Sequence, residues 1–193
     1  MMAIVWICAQ VLIAWLLADL VTGAVHWFED KYLDPTKTLN FLTSVAADND
    51  LHHRRPTAMT LSSGWDNMKS GAAAGWPTAL VLWLIGAPLW LWLAAFFASF
   101  GNLVHRWSHM PDRKLPLWIR TMQATGLFIT HTHHDLHHRS MLRLVPKHLA
   151  GYRFCPMTNW VNPVVDYIGF WYGLEWFLGR CGLRTTKRRM DTI

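Results

Sequence analysis

The sequence has little cysteine and spaces it widely. Cys8, Cys155 and Cys181 are the three present, and no CxxC pair occurs. That pattern excludes both a disulfide framework and a zinc-thiolate site. Charge is also scarce: Asp, Glu, Lys and Arg make up 16% of the chain, well below the roughly 25% of soluble domains. The string HExxH is missing, which removes a zinc protease of that kind. There is no GxGxxG and no cysteine set for an iron-sulfur cluster, so the chain carries no recognisable electron-delivering group of its own. No internal repeat, low-complexity tract or linker interrupts it. Residues 1–193 therefore read as a single domain, long enough for one real core and cramped for two.

What is present is apolar and aromatic. Apolar residues make up 52% of the chain, with 13 Trp among them, a composition suited to lipid contact. The formal charge of +6 is interleaved with Trp-rich runs rather than gathered on a polar domain. It suits an anionic membrane surface better than nucleic acid.

From Ala3 to Val25 the only charge is Asp19, over a length sufficient to cross a hydrocarbon core of about 30 Å. Without a basic segment before it, this run reads as a retained span rather than a signal peptide. A second uncharged run, Gly71 to Val104, would reach about 50 Å as one helix. Gly86-Ala87-Pro88 breaks it into a hairpin. The expected fold is all-α: a membrane-embedded helical bundle of about three transmembrane helices (3–25, 71–86 and 89–105). Interfacial helices are expected over 116–138 and 162–178, the second rich in Trp, Tyr and Phe. Every charge except Asp19 lies outside the spans and the tight turn, so the positive-inside rule predicts a multi-pass protein with its polar segments on the cytoplasmic face. All eleven histidines fall on that side.

The histidines form four groups. His26 and Asp30 in HWFED stand at i, i+4, on one helix face at the end of the first span. His52 and His53 precede a proline. His105 and His109 in HRWSH are again i, i+4, where the third span ends. The stretch THTHHDLHHRS holds His131, His133, His134, His137 and His138, with His134 and His138 sharing a helical face. One histidine at a membrane boundary is ordinary interfacial polarity. Four groups on one side have no packing explanation, because imidazoles are poor core fillers. Imidazoles without thiolates suit Zn, Cu, Ni or Fe. A zinc site closes with about four ligands, whereas these residues can supply two metals, and two irons are the natural expectation.

HxxxH at the end of a span followed by HxxHH resembles the histidine boxes of membrane fatty-acid desaturases and hydroxylases. A closer resemblance is to the plasmanylethanolamine desaturase family of CarF-type lipid desaturases. His26 to Asp30 resembles its HWxxD, His52 to Thr60 its HHxxPTxxT, His105 to His109 its HxWSH and His133 to His138 its HHxxHH. Tyr152 to Pro163 is similar to a late YxxCxxTxWxNP segment. In one respect the chain departs: where the family carries a histidine soon after PTxxT, Leu61-Ser62-Ser63-Gly64 stands instead. Asp66 or His148 is the candidate replacement, or the site has one ligand fewer.

The resemblance implies a di-iron, O2-dependent desaturase acting on a membrane lipid chain. The implied ligands are His26, Asp30, His52, His53, His105, His109, His133, His134, His137 and His138. A 1-O-alkyl ether phospholipid or a phospholipid acyl chain would be the substrate, and a lipid hydroxylase is the alternative on the same site. Two electrons per turnover imply an external donor of the cytochrome b5 or ferredoxin type, steered by a basic face. Asp30 and Asp135 are candidate partners for imidazoles, and Arg54, Arg139 and Arg143 for a lipid phosphate. A metal transporter would carry ionisable groups along its spans, and a haem module needs only two axial histidines. His137→Ala or His138→Ala is expected to remove iron and activity, and His148→Ala to leave most of the iron.

Overall fold

The computed structural model describes residues 1–36, 41–141 and 152–185. Among them every regular element is helical and no strand occurs. The helices are α1 (Met2–Tyr32), α2 (Phe41–Arg54), α3 (Gly64–Leu84), α4 (Leu89–Ala98), α5 (Gly101–Ser108), α6 (Leu117–Ala124), α7 (His131–Met141), α8 (Val161–Tyr167) and α9 (Phe170–Arg180). Short 3-10 turns form at Pro56–Thr60 and Asp112–Lys114.

α1 is long because nothing in it stops a helix: it contains no proline, and its apolar run passes directly into HWFEDKY. Among the described residues it is the one helix long and apolar enough to cross a membrane. Only 17% of its most apolar window is buried by protein, and Ile4, Val5, Trp6, Ile7, Leu12 and Ile13 are exposed along it. The core helix of a soluble protein would be covered.

The expected hairpin turns where the sequence puts the break, with Gly86 at φ 75 between α3 and α4. Its legs differ from expectation. α3 starts at Gly64, not 71, because Ser63 caps it by accepting the Asp66 N–H at 3.0 Å, and the polar first turn joins the apolar run. The second leg divides into α4 and α5. Buried Ser99 donates its hydroxyl to Phe96 O at 2.6 Å and accepts from Trp76 Nε1 at 3.1 Å. Here the backbone tightens to i→i−3 bonds, Ser99 N to Phe96 O and Phe100 N to Phe97 O, and such local back-bonding bends a helix.

Neither interfacial helix is continuous. The segment 116–138 breaks between α6 and α7 at Gly126, φ +78, and 162–178 breaks between α8 and α9 at Gly169, φ +68. Only glycine adopts those angles without strain. The Thr130 N–H then bonds Asn159 Oδ1 at 3.1 Å, which starts α7 afresh.

Two apolar clusters hold the bundle. Trp27, Phe154, Cys155, Val165 and Trp171 join α1 to α8 and α9. Ala18, Val104, Ile129 and Met157 join α1 to α5 and the start of α7. Glu175 reinforces the first, accepting from Trp27 Nε1 at 3.3 Å and pairing with Lys31 Nζ at 3.1 Å. Residues of α1, α2, α5 and α7 come together beside them.

Candidate metal centre

The helical periodicity of about 100° per residue sorts the histidines. On α1, His26 and Asp30 project from one face, as do His105 and His109 at the end of α5. On α2, the adjacent His52 and His53 diverge. On α7, His134 and His138 share a face while His137 turns away. The outcome is two groups: His52, His105, His109, His134 and His138 in one, and His26, Asp30, His53 and His137 in the other. Within each, the candidate ligand atoms lie within 4.8 Å of one another. The groups adjoin, with ring centroids 5.4 Å apart for His26 and His105, 5.0 Å for His53 and His138, and 5.5 Å for His134 and His137. α2 and α7 thus each supply both groups.

In the five-histidine group the Nε2 atoms turn toward one another. His134 Nε2 is 2.6 Å from His105 Nε2 and 3.0 Å from His138 Nε2, and His105 Nε2 is 3.2 Å from His109 Nε2. A neutral imidazole presents a lone pair at one nitrogen, and several lone pairs converging in a buried space repel unless a cation lies among them. Burial holds His52, His134 and His138 well below the usual histidine range, with neighbouring imidazoles adding to the effect. His109 is lowered to about 3, by burial first and then by His131. Neutral imidazole is the form that binds metal.

The second group is oriented from outside. His26 donates from Nδ1 to Phe154 O at 3.0 Å, and His137 from Nδ1 to Tyr152 O at 2.7 Å. Each Nε2 is left as a buried lone pair, with no hydrogen-bond partner among the described residues. This is the pattern that fixes the tautomer of a metal-binding histidine. Asp30 Oδ1 accepts from Asn49 Nδ2 at 2.8 Å and lies 2.7 Å from His53 Nε2. Its Oδ2 faces His137 Nε2 at 3.3 Å and His26 Nε2 at 3.7 Å. Eight imidazoles and one carboxylate therefore fit a pair of metal ions of the nitrogen-preferring kind. Buried Cys155 packs into an apolar cluster instead of joining them.

Other sequence candidates lie elsewhere. His133 stands outside both groups, half-buried, with Nε2 3.3 Å from Arg153 Nη1. Burial and then the Arg153 charge lower it to about 4. His131 is exposed and bonds Ser108 O from Nδ1 at 2.9 Å. Asp66, in the first turn of α3, accepts the Ser63 hydroxyl at 2.6 Å and pairs with Lys69 at 2.9 Å, on the surface. Asp135 faces Arg139 at 3.9 Å, and Arg54 pairs with Asp50 at 2.8 Å. His148 and Arg143 lie outside the described residues. At the turn near Ser62, Arg106 grips the backbone, donating to Thr60 O at 3.0 Å and Ser62 O at 3.2 Å.

Sequence reasoning missed Asn49 and the carbonyls of Tyr152 and Phe154. The position of Asn49 one helical turn before His53 was a usable signal. A backbone carbonyl leaves none.

The family profile described as a lipid desaturase domain matches residues 15–187. A probable fatty acid desaturase of Acanthamoeba polyphaga mimivirus is 29% identical over 171 residues, covering 88% of this chain and 80% of the relative. Plasmanylethanolamine desaturase 1 of Mus musculus is 28% identical, covering 92% and 66%. The plasmanylethanolamine desaturase of Myxococcus xanthus is 24% identical, covering 84% and 57%. The chain thus spans most of the viral relative and less than two thirds of the other two. No solved structure matches it.

Proposed function

Since the chain belongs to the lipid desaturase domain family, and is on that ground an oxidoreductase, we propose that it is an O2-dependent di-iron desaturase of a membrane lipid chain. The observation that carries this reading is the pair of adjoining buried ligand groups, five imidazoles beside three imidazoles and a carboxylate.

Iron bound there supplies the redox chemistry that activates O2 toward an unactivated methylene. The balance is simple. Two neighbouring CH2 groups each lose a hydrogen and become an alkene, O2 becomes two waters, and two further electrons and two protons enter from outside. The chain's own residues set the conditions. The imidazoles are buried, Asp30 contributes one negative charge to one group, and the carbonyls of Tyr152 and Phe154 aim His137 and His26. The ligand groups are buried, and Phe154 packs against both His26 and His137, which keeps water off a reactive centre and protects it from side reactions.

The membrane setting belongs to the same proposal. α1 and the α3–α4 hairpin enter the bilayer, α8 and α9 lie on its surface, and 1–193 acts as one multi-pass unit with the histidines at the cytoplasmic face. Exposed Tyr167, Ile168, Tyr172, Trp176 and Phe177 on the last two helices support the surface placement. A lipid whose head group stays in water then reaches the site with its tail. The names of the mouse and Myxococcus relatives favour a 1-O-alkyl ether phospholipid, with a vinyl ether as product. The name of the viral relative favours an acyl chain. The electrons come from a cytochrome b5 or ferredoxin-type donor.

The test is metal content of the detergent-purified protein together with mass spectrometry of lipids from expressing cells. About two irons per chain and a lipid lighter by two hydrogens are expected. Gain of one oxygen would make the protein a hydroxylase, and zinc alone after iron-replete growth would overturn the reading.

A further inference from the structure

Asp19 is fully buried in α1, roughly two helical turns before His26, and belongs to neither ligand group. Its Oδ1 accepts the Met157 N–H at 2.7 Å, and its Oδ2 accepts both the Thr158 N–H at 3.0 Å and the Thr158 hydroxyl at 2.7 Å. While it donates to Asp19, that hydroxyl accepts from the N–H groups of Trp160 at 3.1 Å and Val161 at 3.3 Å, where α8 begins.

The segment so held, Tyr152 to Thr158, is neither helix nor strand, so its buried backbone groups need partners elsewhere. Cys155 is bonded at both backbone groups by Asn162, at 2.9 and 2.7 Å, and Met157 O accepts from Ile129 N at 2.7 Å. Gly23 lets the segment lie against α1: a Cβ there would stand 2.7 Å from Cys155 Sγ. Two further carbonyls of the segment, those of Phe154 and Tyr152, take the Nδ1–H of His26 and His137. One turn of chain therefore runs from Asp19 through the segment and back to His26 on the same helix.

We propose that Asp19 is a positioning residue for one half of the metal centre. It fixes the register of Tyr152–Thr158 at which two carbonyls hold His26 and His137 as Nδ1–H tautomers, with Nε2 turned to the metal. This rests on the two-metal reading above. A carboxylate is required because three donors converge on it. An amide would bring its own N–H2 against Met157 N–H or against Thr158, and a buried donor facing a donor loses the bond outright. The five-histidine group takes no orienting bond from this segment, so the effect is confined to the group of His26, Asp30, His53 and His137.

The experiment titrates metal-stripped, detergent-purified full-length protein with Co(II), reading the visible absorption of the bound ion against a competing chelator, with helicity followed by circular dichroism. The unaltered protein is expected to take two equivalents. Asp19→Asn is expected to keep one at unaltered affinity and to weaken the other about 10- to 100-fold, the usual cost of losing an outer partner of a metal ligand. Thr158→Ser, which keeps the hydroxyl, is expected to bind like the unaltered protein, and Thr158→Val to resemble Asp19→Asn. If Asp19→Asn loses helicity, the Thr158 pair decides. Two unaltered affinities in Asp19→Asn and Thr158→Val, or equal weakening of both equivalents with helicity intact, would overturn the proposal. Failure of the unaltered protein to bind more than one equivalent would overturn the two-metal reading, and this proposal with it.

Discussion

Asn49 donates its side-chain amide to Asp30 at 2.8 Å, on the same oxygen that meets His53. The bond leaves the other carboxylate oxygen facing His26 and His137. Asn49→Ala removes a donor from a buried carboxylate and frees it to rotate. Metal affinity at this group is expected to fall about 10-fold or more. A chelator competition assay checks it, and unaltered retention of both metals would show that the carboxylate is held by the imidazoles alone.

The division of α7 separates three variants. His138→Ala cuts the five-histidine group and His137→Ala the other, so each is expected to lose one metal first and activity entirely. His133→Ala is expected to keep both metals, because His133 faces Arg153. Elemental analysis of the three proteins distinguishes them. Full loss of metal in His133→Ala would place that imidazole in the centre after all.

The i, i+4 pairs were readable in the sequence because a helix repeats its face at that interval. His26 with Asp30, and His105 with His109, fall together as that spacing requires. The hairpin turn at Gly86 was readable from Gly-Ala-Pro. Which group His137 would join was not, since the choice depends on the approach of α1 to α7. The breaks at Gly126 and Gly169 were hidden because apolar and aromatic residues run across both, so composition stays that of one helix while a single φ ends it. Least readable was the segment Tyr152–Thr158, whose part in the site is played by backbone carbonyls.

Arg106 reaches across to the turn at which the family resemblance points to an extra histidine, and its guanidinium ties α5 to that turn after Pro56. Arg106→Lys keeps the charge but cannot reach Thr60 O and Ser62 O together with one fork. A loss of about 1–2 kcal/mol in stability is expected, seen as a lower Tm, with metal stoichiometry unchanged. A drop in metal content at unchanged Tm would instead tie this turn to the centre.

Acid acts on the metal-free protein through its buried imidazoles. An unfolded histidine takes up its proton near pH 6.5, whereas in the folded protein burial keeps His109 neutral down to about pH 3 and His133 down to about 4. The folded values are the lower ones, so the unfolded chain binds more protons between them, and stability must fall as pH falls through that window. Above about pH 6.5 these groups give no slope, and below about pH 3 the loss levels off. Bound metal steepens the fall, because its ligands must stay unprotonated. Thermal melts of the metal-free protein from pH 7.5 to pH 4 are expected to be flat at first and then to drop steadily, with His133→Ala dropping less. A Tm that stays level to pH 4 would mean that the folded protein takes up these protons at the same pH as the unfolded chain, so that burial does not hold the imidazoles neutral.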